Sequence, residues 1–116
     1  MQYLLLIYAN EAEAAKMGDG GRTAMFNEYR DFTQSIIQGG QFKGGNPLQS
    51  TSTATTVRLR DGKTLTTDGP FAETREQLGG YYLIEAKNLD EATAIAARVP
   101  SAKFGSIEVR PIMTYE

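Results

Sequence analysis

Asp68 and Glu73 are the side chains that, by type and spacing, are best suited to transfer protons in this sequence. Asp68 opens the run Asp68-Gly69-Pro70-Phe71, in which glycine and proline favour a tight turn between strand-like segments. Loops held by rigid strands commonly carry binding and catalytic groups. We therefore expect Asp68 to be an acid–base group and Glu73 a second carboxylate, although a turn that needs these residues for shape alone is the simpler alternative.

Cationic and aromatic side chains supply the remaining candidates. Arg58 and Arg60 precede Asp61-Gly62, a strong hairpin pattern, so they should lie on the strand paired with the one that leads to Asp68. There they either orient an anionic substrate or form only the solvated face of an edge hairpin. The aromatic residues expected to bind substrate around the turn are Tyr8, Tyr29, Phe71 and Tyr81.

The chain has no histidine and no cysteine, which excludes an imidazole base, a thiolate nucleophile and transition metals held by either residue. We expect neither a metal nor a cofactor. The 12 basic and 14 acidic residues give no basic surface for nucleic acid. No window of about 18 apolar residues predicts a membrane span, and Met1–Ala9 lacks the pattern of a signal peptide, so we expect a cytoplasmic protein.

Hydrophobic periodicity predicts the first half of the secondary structure. Tyr3–Tyr8 is a continuous apolar run, typical of a strand buried on both faces. The polar segment Asn10–Gly21 is expected to be a mobile loop, followed by a helix over Arg22–Gln38 with Thr23 as its N-cap, or Asp19 if the helix starts earlier. One face of that helix is expected to be buried through Met25, Tyr29, Phe32 and Ile36, widened by Phe26, Thr33 and Ile37. The Gly- and Ser-rich stretch Gln41–Ser52 favours an irregular connection.

The second half is expected to contain four more strands and one helix. Thr53–Arg60 and Lys63–Thr67 should form the hairpin, and Tyr81–Ala86 a buried strand after a chain break at Gly79-Gly80. A helix is predicted over Asn88–Val99 with Asp90 as its N-cap. The last strand, Ser106–Met113, should be an edge strand or contain a bulge, because Pro111 cannot donate a hydrogen bond within a sheet.

This order predicts an α+β fold, a ferredoxin-like split βαβ arrangement with an inserted β-hairpin, in a single domain over residues 1–116. Two helices can cover only one face of the sheet, whereas the run Leu4–Ile7 requires burial on both. A second copy of the sheet is the economical cover, so we expect a homodimer.

The sequence also resembles the DGPF-domain proteins of the YCII-related family. The resemblance rests on Asp68–Thr74 and Gly79–Tyr82, extends to Met1–Tyr8 and Leu89–Ala92, and so covers nearly the whole chain. It implies a small bacterial protein with a dimeric α/β-barrel fold. Some members of the wider superfamily are thought to use a His–Asp pair, and this chain, having no histidine, departs from that pattern.

Two functions remain open, and the sequence does not decide whether the protein is an enzyme. The first is binding of a small polar or aromatic molecule in a cleft near the Asp68 turn, with carboxylate acid–base chemistry such as isomerisation or elimination. The alternative is a non-catalytic regulatory or partner-binding module, since the resemblance implies an association with sigma-factor systems. A pocket around Asp68 would favour the first, and a flat, exposed turn would favour the second.

Overall fold

The computed structural model describes residues 1–115 as an α+β fold with two antiparallel sheets and three α-helices. The strands are β1 (Gln2–Ala9), β2 (Phe42–Pro47), β3 (Thr55–Arg60), β4 (Lys63–Asp68), β5 (Gln77–Glu85) and β6 (Ser106–Pro111). The helices are α1 (Glu11–Ala14), α2 (Asp19–Gln38) and α3 (Leu89–Ala97), with 3-10 turns at Thr51–Thr53 and Pro100–Lys103. The larger sheet has the strand order β2-β5-β1-β6, and β3 and β4 form a separate hairpin.

The core lies between the larger sheet and the two long helices. β1 is a central strand, paired with both β5 and β6, as its apolar sequence predicts. Its alternate residues Tyr3, Leu5 and Ile7 are buried and belong to one cluster with Phe32 and Ile36 of α2 and with the buried alanines of α3. Burial on both faces is not complete within one chain, because Leu4 and Leu6 are only half-buried.

The segment expected to be a loop, Asn10–Gly21, is largely helical. The Asn10 side chain accepts a hydrogen bond from the Glu13 amide at 2.9 Å and so caps α1. The next helix, α2, already begins at Asp19 after Gly18, which places Thr23 inside the helix rather than at its N-cap. Phe26 and Ile37, expected on the buried face, are 68% and 53% exposed.

Two glycine-containing segments form strands against expectation. β2 lies in the stretch expected to be irregular, and Gly79-Gly80, expected to break the chain, lies inside β5. In both cases pairing in the sheet overrides weak local propensity, with Gly80 opposite Ile7 on one side and Pro47 on the other. At α3 the N-cap is Asn88 instead of Asp90, since the Asn88 side chain accepts from the Glu91 amide at 2.9 Å.

The hairpin and the edge strand are confirmed. β3 and β4 pair with Arg60 opposite Lys63, so Asp61-Gly62 is the two-residue turn. Among the strands of residues 1–115, β6 pairs only with β1, and Pro111 lies at its end, opposite Tyr3.

Candidate functional site

A cleft of about 740 Å³ lies between α2 and the helix-covered face of the larger sheet. Its floor comes from neighbouring strands, with Gly45 on β2, Gly80 and Tyr82 on β5, and Ile7 on β1. Ala14 of α1 and Met17 line it as well. The cleft therefore depends on segments that are far apart in sequence and that the sheet brings together.

The surface of the cleft as a whole is mainly apolar. Met25, Phe26 and Tyr29 all line the cleft from α2. Phe26 is exposed to solvent there, while Tyr29 and Met25 are half-buried. Such a surface suits an apolar or aromatic molecule, because burying the ligand also removes these side chains from water.

Tyrosine and threonine hydroxyls supply the polar groups of the cleft. The Thr33 and Tyr82 hydroxyls are hydrogen-bonded to one another at 2.6 Å, and Tyr29 is bonded in the same way to Ser101 at 2.6 Å. Burial raises the pKa of Tyr29 and of Tyr82 above the ordinary value of 10.0, and the hydrogen bonds with Ser101 and Thr33 oppose part of that shift. Both phenols thus stay protonated at neutral pH.

The charged residues of the lining are arginines. Arg22 and Arg30 of α2 both line the cleft. No aspartate or glutamate among residues 1–115 does so. Within the same residues no three carboxylates come together as a ligand set for a metal ion.

Two of the predicted site residues lie at this cleft. Tyr29 lines it from α2. Tyr81 of β5 borders it as well, but alternation with the buried Tyr82 turns the Tyr81 side chain toward the other face of the sheet, where its hydroxyl accepts a hydrogen bond from the Asn46 side chain at 2.8 Å. Tyr8 is not in the lining. Side chains alternate along β1, and Tyr8 follows Leu4 and Leu6, which point away from the helices.

The other predicted residues lie on the hairpin and on the segment that follows it, outside the cleft lining. Arg58 and Arg60 of β3 and Asp68 at the end of β4 are all exposed, and Asp68 is opposite Thr55. Its turn is tied to β3, because the Gly69 amide donates to the Ala54 carbonyl at 2.7 Å.

Turn geometry accounts for Gly69, and the residues after it are open to solvent. Gly69 has a φ of 94°, a conformation that favours glycine, and its carbonyl accepts from the Thr56 hydroxyl at 2.8 Å. Phe71 is 78% exposed, and Glu73 is also exposed. Neither of the cavities described along residues 1–115 includes any part of this turn.

Several cleft residues were not singled out from the sequence. They are Met17, Arg22, Arg30, Gln34, Asn46 and Tyr82. One pattern in the sequence indicates this surface. α2 has more large apolar residues than its buried face contains, and one of the exposed ones, Phe26, lines the cleft.

The helices described in residues 1–115 include none with the length and apolar character of a membrane span.

Comparison with known proteins gives a family. The YCII-related domain matches residues 1–116. The chain is also similar to an uncharacterised protein of Rhizobium meliloti (strain 1021), with 34% identity over 118 residues that cover 100% of this chain and 95% of the relative. This chain therefore belongs to the YCII-related domain family.

Proposed function

We propose that this protein binds a small, mainly apolar molecule in the cleft between α2 and the larger sheet. The observation that carries the proposal is the cleft itself, whose volume of about 740 Å³ falls within the range of small-molecule sites. Its composition supports the same conclusion. Methionine and aromatic side chains dominate the lining, and a few hydroxyl, amide and guanidinium groups converge on it, which suits recognition of one end of a ligand.

Binding is better supported than proton transfer inside this cleft. The lining contains no carboxylate among residues 1–115, and the two half-buried or buried phenols, Tyr29 and Tyr82, stay protonated at neutral pH. Acid–base chemistry by Asp68 and Glu73 stays a prediction. Within one chain it would act on a molecule held at the exposed turn, outside the cleft.

The test uses phenylnaphthylamine, a neutral dye that fluoresces in apolar sites. Ala14→Trp adds a large side chain at the cleft, whereas Ala12→Trp adds it on the same short helix outside the lining. We expect Ala14→Trp to weaken dye binding about tenfold or more, which is about 1.4 kcal/mol, and Ala12→Trp to leave it unchanged. Equal affinity in both variants would show that the dye does not occupy the cleft.

We also propose the ferredoxin-like arrangement and the dimeric α/β barrel as the assembly of this chain. The strand order β2-β5-β1-β6, with a helix after β1 and another after β5, supports the first. The second is supported by the uncovered face of the larger sheet. Leu4, Leu6 and Leu83 point away from the helices and are half-buried there, so an apolar face remains for a second copy.

The accessible area supports a homodimer independently. The chain exposes 8184 Å². A compact monomer of its mass of 12.7 kDa is expected to expose about 6,200 Å². The excess of about 2,000 Å² per chain is the size of an obligate dimer interface. The radius of gyration agrees, at 16.2 Å against about 13 Å for a compact domain of this length.

The β3–β4 hairpin contributes to that excess. Val57, Leu59 and Leu65 are 62%, 66% and 48% exposed. An isolated two-stranded hairpin is marginal in water and gains stability by packing on another surface. A second copy of the chain supplies such a surface.

Light scattering tests the dimer. At micromolar concentration we expect about 25 kDa, twice the chain mass of 12.7 kDa. Leu6→Glu places a charge on the open face of the sheet and should give the single-chain mass, since burying a charge costs several kcal/mol. Thr93→Glu, on the exposed side of α3, should remain dimeric. A parent protein at the single-chain mass would refute the dimer, and a dimeric Leu6→Glu would place the interface elsewhere.

A second candidate function is favoured by one observation, the exposure of the Asp68 turn. Phe71 is 78% exposed and stands between two acidic residues, Asp68 and Glu73. An aromatic side chain flanked by carboxylates suits a basic protein surface. This supports a partner-binding role for the turn. Loss of partner capture by Phe71→Ala, with dye binding in the cleft unchanged, would assign that role to the turn.

A further inference from the structure

We propose that the ligand of the cleft is an anion, an elongated apolar molecule whose acidic group binds Arg22. This inference rests on the proposed function and names the chemistry of its ligand. The first observation is the charge of the lining. Arg22 and Arg30 are its charged residues, and no carboxylate of residues 1–115 joins them. The whole chain carries a net charge of −2, so the charge of the cleft lining is opposite in sign to the net charge of the protein.

Arg22 is available to a ligand. No carboxylate among residues 1–115 lies within ion-pair distance of it. The other cleft arginine is partly engaged, since Arg30 lies 3.4 Å from a carboxylate oxygen of its neighbour Asp31. Both members of that pair are exposed, so the pair is weak. Of the two guanidinium groups, the one on Arg22 is thus the better anchor for an incoming acid.

The spacing of the arginines gives the ligand its shape. Arg22 and Arg30 are eight residues apart on α2, which separates them by about 12 Å along the helix axis. One carboxylate or sulfonate would contact both only if the two side chains extended toward each other along the helix, whereas an elongated ligand with its acid at one arginine needs no such extension. The acidic group therefore lies at Arg22, and Arg30 adds attraction from farther along the cleft.

The side chains between the arginines fit the apolar part of such a molecule. Met25, Phe26 and Tyr29 follow Arg22 on α2 and line the cleft. Phe26 is 68% exposed, whereas the other two aromatic residues of α2 are half-buried (Tyr29) and buried (Phe32). A flat apolar body lying along this stretch would cover Phe26, while flexible Met25 adapts to its outline.

A second dye, paired with phenylnaphthylamine, separates the contribution of charge from that of apolar contact. Anilinonaphthalene sulfonate carries the aromatic skeleton of phenylnaphthylamine plus one sulfonate. We expect Arg22→Gln to lower the affinity for the sulfonate dye about tenfold and the affinity for the neutral dye less than about twofold. Arg30→Gln should lower sulfonate binding by a smaller factor, about threefold.

Arg58→Gln tests the competing anion site, because Arg58 is an exposed arginine of the hairpin outside the cleft. It should bind both dyes as the parent protein does. If Arg58→Gln lowers sulfonate binding and Arg22→Gln does not, the anion binds at the hairpin and the inference is wrong. An equal loss of both dyes in Arg22→Gln also overturns it, because the arginine then acts through shape or folding.

Failure of the inference can be told apart from failure of the proposed function. When Ala14→Trp blocks the neutral dye but Arg22→Gln spares the sulfonate dye, the cleft binds ligands and the charge preference is refuted. When Ala14→Trp blocks neither dye, the cleft is not the binding site and both proposals fail. Circular dichroism of each variant confirms that the comparison is made on folded protein.

Discussion

Replacing Gly105 by alanine should destabilise the protein by about 3 kcal/mol, because a β-carbon has no room at this position. Gly105 joins the 3-10 turn Pro100–Lys103 to β6. A Cβ built on it lies 2.1 Å from the carbonyl oxygen of Tyr8 and 3.2 Å from that of Ser101. Both neighbours are backbone atoms, so no rotamer change relieves the overlap, and β6 must move away from the central strand.

The magnitude follows from what that movement costs. The contact with Tyr8 is more than about 1 Å too short for van der Waals packing. Relieving it weakens the nearby β1–β6 pairing, where Tyr8 is opposite Ser106, and each lost hydrogen bond costs about 1 kcal/mol. With overpacking at about 1–3 kcal/mol, the total is about 3 kcal/mol. For 116 residues this lowers Tm by about 12 °C.

Thermal melting followed by circular dichroism, at one protein concentration, measures the effect. Gly20→Ala is the matched control, since a Cβ at Gly20 meets nothing within 4 Å and the position lies in α2. Its Tm should rise by about 2 °C, because alanine favours helix by about 0.5 kcal/mol. If the Gly105→Ala protein melts within about 2 °C of the parent, Gly105 does not lie as close to the Tyr8 carbonyl of β1 as described.

Three further predictions concern pH, the turn and the core. Burial raises the pKa of Tyr29 and Tyr82 above 10.0, so the unfolded state loses these protons at a lower pH than the folded state does. The free energy of unfolding measured in urea should therefore fall as pH rises above about 10. Phenylalanine at both positions should flatten that fall, and an unchanged dependence on pH would contradict this prediction. Asp68→Asn should keep Tm within about 2 °C, since Asp68 is exposed and its side chain has no ion pair within residues 1–115; a large loss would make it a structural cap. Ile36→Ala should cost about 2–5 kcal/mol in urea unfolding and Ile37→Ala under about 1 kcal/mol, because Ile36 is 0% and Ile37 53% exposed; similar costs would refute this packing.

Local patterns were sufficient for much of the fold. The apolar run of β1, the Asp61-Gly62 turn and the periodic stripe of α2 each predict their element without tertiary information. β2 shows where this stops. Gly44 and Gly45 give it no strand propensity, and it forms because β5 offers a strand to pair with, across a register shift between Phe42 and Gly44.

The candidate site was harder to predict for a related reason. The Asp68 turn stands out in the sequence because glycine and proline are locally conspicuous, and Gly69, at a φ of 94°, meets a requirement of shape. The cleft has no such marker. It arises where α2 crosses strands that are distant in sequence, and Arg22 belongs to it only through that crossing. Tyr29 was identified because a half-buried phenol is recognisable from helical periodicity alone.

The charges of the hairpin have a consequence for aggregation. Within residues 1–115, β3 and β4 pair only with each other, so each presents a free backbone edge on which further strands from other molecules can add. Exposed Val57 and Leu59 make that edge prone to aggregation. Arg58 and Arg60 alternate with these two residues along β3, and Lys63 follows directly after the turn. Mutual repulsion between these cations opposes edge-to-edge stacking of separate chains. A variant with all three neutralised should form thioflavin-positive aggregates at concentrations where the parent protein stays clear.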